Sequence, residues 1–381
     1  MANELNLTVL FQGKVLEDKP GFHRGCERLV TSGHLSAYRA FPYRCLGSAR
    51  EWAEYYEQVL EHMRATGSNA LLCQYFHWDP IPDPRPFLNR VALLSQRPII
   101  ATSCGDGFGP ALRPPPPSLT RACSVSDVSF VSSMGALSTK LQSAGAKRVT
   151  LMPLSACDER FAFDPNADDS GNSDFDVVFI GSRPGGRNPT NHLFWSGRKR
   201  IEAVSRLSKR FGSRFGLFGN GWSGQASWQG PVGFADQVVT SQRGHVVYGG
   251  YPGSLCDYYA SDRPFIQALS GRPIVDHWVP RVETLLSADS EWLLARDLDE
   301  AVASIDRLLG DESLASRVGI GGATAVGERH MDSHRVSLIV SILSELYSAR
   351  VGGREAICPP LDFFHTGIHG ASEMATALSA W

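Results

Sequence analysis

The order of elements along this chain predicts an α/β protein built from two doubly wound parallel-sheet domains. Three observations carry that prediction. The 381 residues exceed what one ordinary core accommodates. Apolar runs of strand length alternate with amphipathic helical segments. The alternation stops at a polar, Asp/Asn/Gly-rich stretch and then restarts. The predicted domains are residues 1–155 and 175–331, separated by a linker over 156–174 and followed by a helix over 332–350 and a tail over 351–381.

In the first half, Leu5–Phe11 reads as a strand and His23–Ser32 as a helix. Glu51–Thr66 is the clearest helix, because Trp52, Tyr55, Tyr56, Val59, Leu60 and Met63 recur at three- and four-residue spacings and make one apolar face. Gly67-Ser68-Asn69 ends it, and Ala70–Phe76 is the next buried strand. A helix over Pro86–Gln96 leads to the strand Pro98–Thr102. After the prolines at 114–117 come another helix, the strand Val128–Val131, the helix Gly135–Ala144 and the strand Arg148–Met152.

The second half repeats the pattern: strand 176–180, helix 197–211, strand 214–218, strand 245–248, helix 263–270, strand 273–276 and helix 299–309. A final helix from Asp332 to Ala349 carries Val336, Ile339, Val340, Leu343 and Leu346 on one face. The last thirty residues are rich in Gly, Pro, Ser and Ala and read as a loosely docked tail.

Composition narrows the class. A net charge of −2 with 20% charged residues gives no long-range field for a polyanion or an acidic membrane. The longest apolar runs, such as Leu338–Leu343, are too short for a bilayer span, and the N-terminus lacks a signal-peptide layout. The eight cysteines form no C-x-x-C pair, which reads as reduced thiols of a cytoplasmic protein with no disulfide framework or zinc site. The histidines show no metal-ligand spacing.

Three pieces of the second half point to chemistry. Phe175–Ile180 runs into Gly181-Ser182-Arg183-Pro184-Gly185-Gly186-Arg187. Leu217-Phe218-Gly219-Asn220-Gly221-Trp222 is a second strand ending in glycines. Ser261-Asp262-Arg263 opens a helix that Gly271 closes ahead of the strand at 273–276. A strand ending in a glycine loop lets backbone N–H groups approach an anion, and arginines in such loops suit a diphosphate. This is the outline of a nucleotide-sugar site.

These pieces, in this order, resemble the CgeB-like (spore-maturation-protein type) branch of GT-B glycosyltransferases, related to retaining glycosyltransferase family 4. The resemblance rests on Val178-Phe179-Ile180-Gly181-Ser182, Phe218-Gly219-Asn220-Gly221-Trp222, Ser261-Asp262-Arg263-Pro264-Phe265, Gly271 and Pro280–Leu286. Arg97–Ile100 through Gly105-Asp106, Asp127–Val131 and Gly145–Val149 add to it, so that it covers residues 95–345. It implies two Rossmann-like domains facing across a cleft, with the nucleotide sugar on the second, the acceptor on the first and the last helix crossing back. Relatives carry a ribose-gripping glutamate five residues before the glycine matching Gly271. Here that position is Ile266, which accepts no hydroxyl bond, so Gln267, Asp262 or Glu283 substitutes, or donor binding is altered.

Each site residue has an alternative reading. Gly181, Ser182 and Arg183 cradle the diphosphate or form a surface loop. Arg198 and Arg200, on the following helix, meet a phosphate or make a solvated basic turn. Gly219, Gly221 and Trp222 form a floor for the base, with Trp222 stacking on it, or Trp222 is core. Ser261, Asp262 and Arg263 match the donor-side signature, or Asp262 caps the helix. Glu283 contacts the donor or favours a helix end. On the acceptor side, His23, His77 and Asp106 follow strands of the first domain and are the candidates for positioning acceptor or sugar hydroxyls.

The expected activity is transfer of a sugar, first of all from a UDP-sugar, to an acceptor hydroxyl with retention and without a metal or other cofactor. The acceptor is open among glycan, protein, small molecule and modified DNA base. The alternatives are a non-catalytic nucleotide-sugar or glycan binder of GT-B shape, a phage-type DNA-base glycosyltransferase, and a sugar-nucleotide epimerase.

Overall fold

The computed structural model describes residues 5–76, 81–109, 113–163, 173–185, 192–250 and 256–356. The chain divides into two compact units. One holds Met1–Gly109, Pro114–Pro153 and Asp332–Trp381; the other holds Pro110–Arg113 and Leu154–Met331.

The first unit runs β1 (Asn6–Phe11), α1 (Pro20–Thr31), β2 (Ala37–Pro42), α2 (Ala49–Thr66), β3 (Ala70–Gln74), α3 (Arg85–Ala92), β4 (Ile99–Cys104), α4 (Pro117–Val125), β5 (Val128–Val131), α5 (Ala136–Ser143) and β6 (Val149–Leu151). Its six strands are all parallel, in the order β2-β1-β3-β4-β5-β6. Helix α2 starts at a capping box, with the Ser48 hydroxyl accepting from Glu51 N–H and the Glu51 carboxylate accepting from Ser48 N–H. It ends on Gly67 in the left-handed conformation, at φ 66°. Its apolar face (Trp52, Tyr55, Tyr56, Val59, Leu60, Met63) packs with Leu10, Leu71, Cys73 and Ile100 of the sheet.

The second unit runs β7 (Phe175–Ile180), α6 (His192–Phe211), β8 (Phe215–Phe218), β9 (Trp228–Gly230), α7 (Gln237–Gln242), β10 (Gly244–Gly250), α8 (Asp262–Ala268), β11 (Ile274–His277), β12 (Leu293–Ala295), α9 (Leu298–Gly310) and α10 (Glu312–Arg329). Its parallel strands lie in the order β12-β11-β10-β7-β8-β9. Both faces of this sheet are covered. Val177, Phe179, Phe215, Tyr248 and Val275 pack with Ala203, Val204 and Leu207 of α6 and with α9. Val247 and Ile274 pack on the other face with Phe265, Ile266 and Leu269. The last helix, α11 (Asp332–Gly352), belongs to the first unit, where it packs on α1 and β4 and its buried Arg335 donates to the Pro153 carbonyl at 2.9 Å.

Five of these elements lie outside the sequence expectation: β2, β9, α7, β12 and α10. The largest is the 18-residue α10, whose glycines argue against a helix locally. Tertiary contact overrides that preference. A Cβ on Gly319 would lie 2.0 Å from the Gly271 carbonyl oxygen, on Gly321 2.3 Å from that of Ser290, and on Gly322 2.4 Å from that of Glu291. Part of the segment read as linker is also packed structure: Ala156 bridges Met331, and Phe161 is buried against the α8 face.

Candidate functional site

In sheets of this kind the ligand crevice opens where neighbouring strands send their connections in opposite directions. In the second unit that point lies between β7 and β10. The chain leaves β7 toward β8 through α6, packed on one face, and leaves β10 toward β11 through α8, packed on the other. Arginines from both helices converge at the carboxyl ends of these strands. Arg200 of α6 donates to the Ser182 carbonyl at 3.2 Å, and Arg263 of α8 donates to the Gly249 carbonyl at 3.2 Å.

Asp276, near the end of β11, lies close to both. It is closely surrounded by protein yet keeps part of its surface open, the disposition of a group lining a concavity. A Cβ on Gly249 would lie 2.7 Å from its Cγ, so only glycine fits there. Burial pushes the Asp276 carboxyl up to about 6, against the lowering pull of the His277 N–H, Arg263 and Arg200. Burial and then the Arg263 guanidinium push Arg200 down to about 10. The Arg200 Nε is buried without a partner. Two guanidiniums against one reluctant carboxylate leave a positive recess that a diphosphate would neutralise. Behind it, the Tyr248 hydroxyl and His277 Nε2 lie 2.7 Å apart, and burial holds His277 near 4, hence neutral.

The two glycine loops are locked together. Gly181 N–H donates to the Phe218 carbonyl and Arg183 N–H to that of Asn220, at 2.9 and 2.8 Å. Gly219 has φ 122°, and a Cβ there would fall 2.5 Å from the Gly181 carbonyl oxygen. Gly221, at φ 84°, faces the Arg183 Cβ. Those two N–H groups are therefore spent on the fold, while Ser182, Arg183 and Gly185 of the loop are exposed.

Trp222 corrects the sequence expectation of a stacking platform. It is 0% exposed within the α6-side core, and its indole N–H donates to the Gly181 carbonyl, so no ring face is left for a base. Arg198 separates from Arg200: it is exposed and lies over the Phe194 ring on another side of α6. Ser261 takes the cap position of α8 without a side-chain bond, and Asp262 is its first residue. Ile266 is core, at 1% exposure. Gln267 is 0% exposed, and neither atom of its amide has a partner; it stands one turn from Arg263 on the same helix face. Glu283 accepts from the Trp278 indole N–H at 3.2 Å.

In the first unit, His23 is buried on α1 with Nδ1 against the Tyr38 hydroxyl, and burial lowers it to about 4. Asp106 follows β4, its carbonyl accepting from Phe108 N–H. His77 lies outside the described residues. Asp276, Tyr248 and His277 were missed from sequence. The available signal was an Asp-His pair closing an otherwise apolar strand, Ile274-Val275-Asp276-His277. Among the described residues no group of three or more His, Cys, Asp or Glu side chains could hold a metal ion, and no helix is long and apolar enough to cross a membrane.

Residues 198–341 match the family model described as glycosyl transferase-like, a span that includes Arg200, Arg263 and Asp276. A search of curated protein sequences gave no match. Solved structures resemble the chain over most of its length. Sucrose-phosphate synthase from Thermosynechococcus elongatus has a TM-score of 0.59 at 12% identity, covering 91% of this chain and 100% of that one. The α,α-trehalose 6-phosphate synthase of Burkholderia multivorans has a TM-score of 0.59 at 13% identity, covering 94% and 100%. Anabaena HepE, solved with UDP and glucose, has a TM-score of 0.55 at 14% identity, covering 92% and 100%. The chain has the GT-B fold of two parallel six-stranded α/β sheets, and its residues 198–341 match the glycosyl transferase-like family model.

Proposed function

We propose that this protein transfers a glycosyl group from a nucleoside-diphosphate sugar, in the first place a UDP-sugar, to an acceptor hydroxyl. The observation that carries the reading is the convergence of Arg200 and Arg263 beside Asp276 at the point where the second sheet reverses its connections. Fixed guanidiniums in a recess of low dielectric stabilise the charge that develops on a departing diphosphate. The reading gives them the charge-neutralising part that a metal plays elsewhere. Support comes from the family model over residues 198–341 and from structural neighbours solved with UDP-glucose or with UDP. The resemblance to the CgeB-like branch and to retaining enzymes rests on the sequence motifs alone.

A second reading, a nucleotide-sugar binder without turnover, is favoured by Ile266, which the core absorbs where relatives place a glutamate. The two readings separate in one experiment. Thermal shifts with UDP, GDP, CMP, dTDP and their common sugars identify a ligand of the folded state, and release of free nucleotide is then followed with that donor. The transferase reading expects a shift that Arg263→Ala reduces by at least tenfold in affinity, together with acceptor-dependent nucleotide release. Unchanged affinity in Arg263→Ala would show that the donor site is misplaced, and binding without any release would favour the second reading.

A further inference from the structure

At the amino ends of β3 and β4 the first unit has a recess of about 410 Å³, lined by Arg64, Arg90 and residues 93–96. Helix α2 ends there ahead of β3, and the turn after α3 passes there ahead of β4. Leu93 lines the recess while 84% exposed, beside the buried Leu94. One exposed leucine is ordinary. Its setting is not, because the end of a third helix is fastened to the same corner. Arg350 of α11 donates to the carbonyls of Arg97 and Pro98, at 3.2 and 2.8 Å, and pairs with Asp127 at 2.6 Å. Arg97 is held there at φ 48°, a left-handed conformation that costs energy for a residue with a side chain. Val351, the next residue of α11, is 57% exposed.

The charges of this corner are unevenly partnered. The Glu57 carboxylate accepts from both terminal nitrogens of Arg90. The guanidiniums of Arg64 and Arg97 are exposed and make no hydrogen bond or ion pair among the described residues. Glu61 follows Glu57 by one turn on the same face of α2, so the recess carries little net charge. A free anion would find only weak, screened attraction there. A segment tethered nearby needs far less, because its local concentration is already high.

We infer that the recess seats the chain's own segment Leu361-Asp362-Phe363-Phe364, delivered to it by α11. Past Gly353, Arg354 N–H donates back to the Ala349 carbonyl at 3.0 Å, which keeps the departing chain at the end of that helix. Ala356 and Leu361 are then separated by roughly 17 Å of extended chain, more than the width of one helix. The chemistry matches. Residues 357–381 contain Asp362 and Glu373 and no Lys or Arg, the sign that Arg64 and Arg97 lack. Leu361 and Phe363, on either side of Asp362, offer apolar surface to Leu93, Leu94 and the arginine stems. Pro359 and Pro360 ahead of them reduce the freedom lost on docking. The seat lies at the amino ends of the strands, so it does not depend on the transferase reading.

The test is thiol cross-linking on the full chain. Among the described cysteines only Cys45 is exposed, so Cys45→Ser leaves Cys358, just ahead of Leu361, as the reporter. Ser95→Cys adds a thiol at the recess, and Lys14→Cys, in the loop after β1, adds a control thiol at the opposite edge of the sheet. A short bismaleimide is expected to join Cys358 to position 95 within one chain roughly tenfold faster than to position 14. Leu93→Asp and Asp362→Arg should each slow that reaction roughly fivefold, and Arg64→Glu combined with Asp362→Arg should restore it. Leu93, Ser95, Arg64 and Lys14 are all exposed, so these changes leave the core intact. Equal rates at positions 95 and 14, or a rate that Leu93→Asp leaves unchanged, would overturn the assignment. Joining only between chains, at a rate that rises with protein concentration, would also overturn it and make a second copy the occupant.

Discussion

Trp222 donates its indole N–H to the carbonyl oxygen of Gly181 at 2.7 Å, tying the loop after β8 to the loop after β7 from within the core. The ring is a strut beneath the candidate diphosphate loop. Trp222→Phe keeps most of the apolar volume and removes the donor, leaving a buried carbonyl short of a partner, at a cost of about 1–3 kcal/mol. The expected outcome is a melting temperature lower by roughly 2–10 °C and weaker nucleotide binding, since Ser182 rides on the same loop. Calorimetry with and without nucleotide checks both. Unchanged stability would mean that the bond contributes nothing net.

Gly219 tests the same contact from the other side. Alanine at φ 122° is strained, and its Cβ would stand 2.5 Å from the Gly181 carbonyl oxygen. Backbone strain of this kind costs about 1–3 kcal/mol, and the loops must part to admit the methyl group. Gly224, where an added Cβ would meet no atom within 4 Å, is the control. Gly219→Ala is expected to melt lower and bind nucleotide less well, whereas Gly224→Ala should match the wild type in both respects.

Strands such as Phe175–Ile180 are readable because a parallel strand covered on both faces needs a largely apolar run, here interrupted by Asp176 alone. Helix α2 is readable through its apolar spacing and Gly67. The edge strand β2, Ala-Tyr-Arg-Ala-Phe-Pro, lacks such a run because much of it stays open to solvent. Helix α10 was hidden because its glycines answer to the carbonyls of Gly271, Ser290 and Glu291, contacts that no local window contains. The site divides in the same way. Arg263 is read from the Ser261-Asp262-Arg263 motif and Arg200 from the basic start of the helix after the glycine loop, while the burial of Trp222 and the place of Asp276 depend on which strands lie side by side.

Arg200 offers a case in which stability and binding should part. Its guanidinium is crowded by Arg263, and its Nε is buried without a partner. Arg200→Met keeps an unbranched side chain and removes both penalties, so the unliganded protein should melt at or above the wild-type temperature. Loss of a charge-assisted bond to phosphate, about 1.5–3 kcal/mol, weakens nucleotide binding about ten- to a hundredfold. Isothermal titration beside thermal melting reads both quantities. A destabilised variant with intact binding would make Arg200 a structural residue.

Asp276 sets the pH behaviour of the recess. Arg200 faces it from α6 and Arg263 from α8, while Tyr248 on β10 and the neutral His277 on β11 add no charge. Its folded carboxyl titrates at about 6, above the ordinary 3.8. The folded state thus holds this proton to a higher pH than the unfolded chain does. The stability this confers is complete below the unfolded value and is lost as pH rises through about 6. Binding follows the same proton. Below about 6 the two guanidiniums stand unopposed, and above it the carboxylate offsets one of them. A nucleotide sugar is the right probe, because its two phosphates do not titrate in this range. Its affinity should tighten roughly tenfold from pH 7.5 to pH 5, within the slope that one proton allows. Asp276→Asn should flatten that profile, and it should also remove the loss of stability as pH rises toward 6. A variant that kept the wild-type slope would assign the proton to another group and leave Asp276 only a packing role against Gly249.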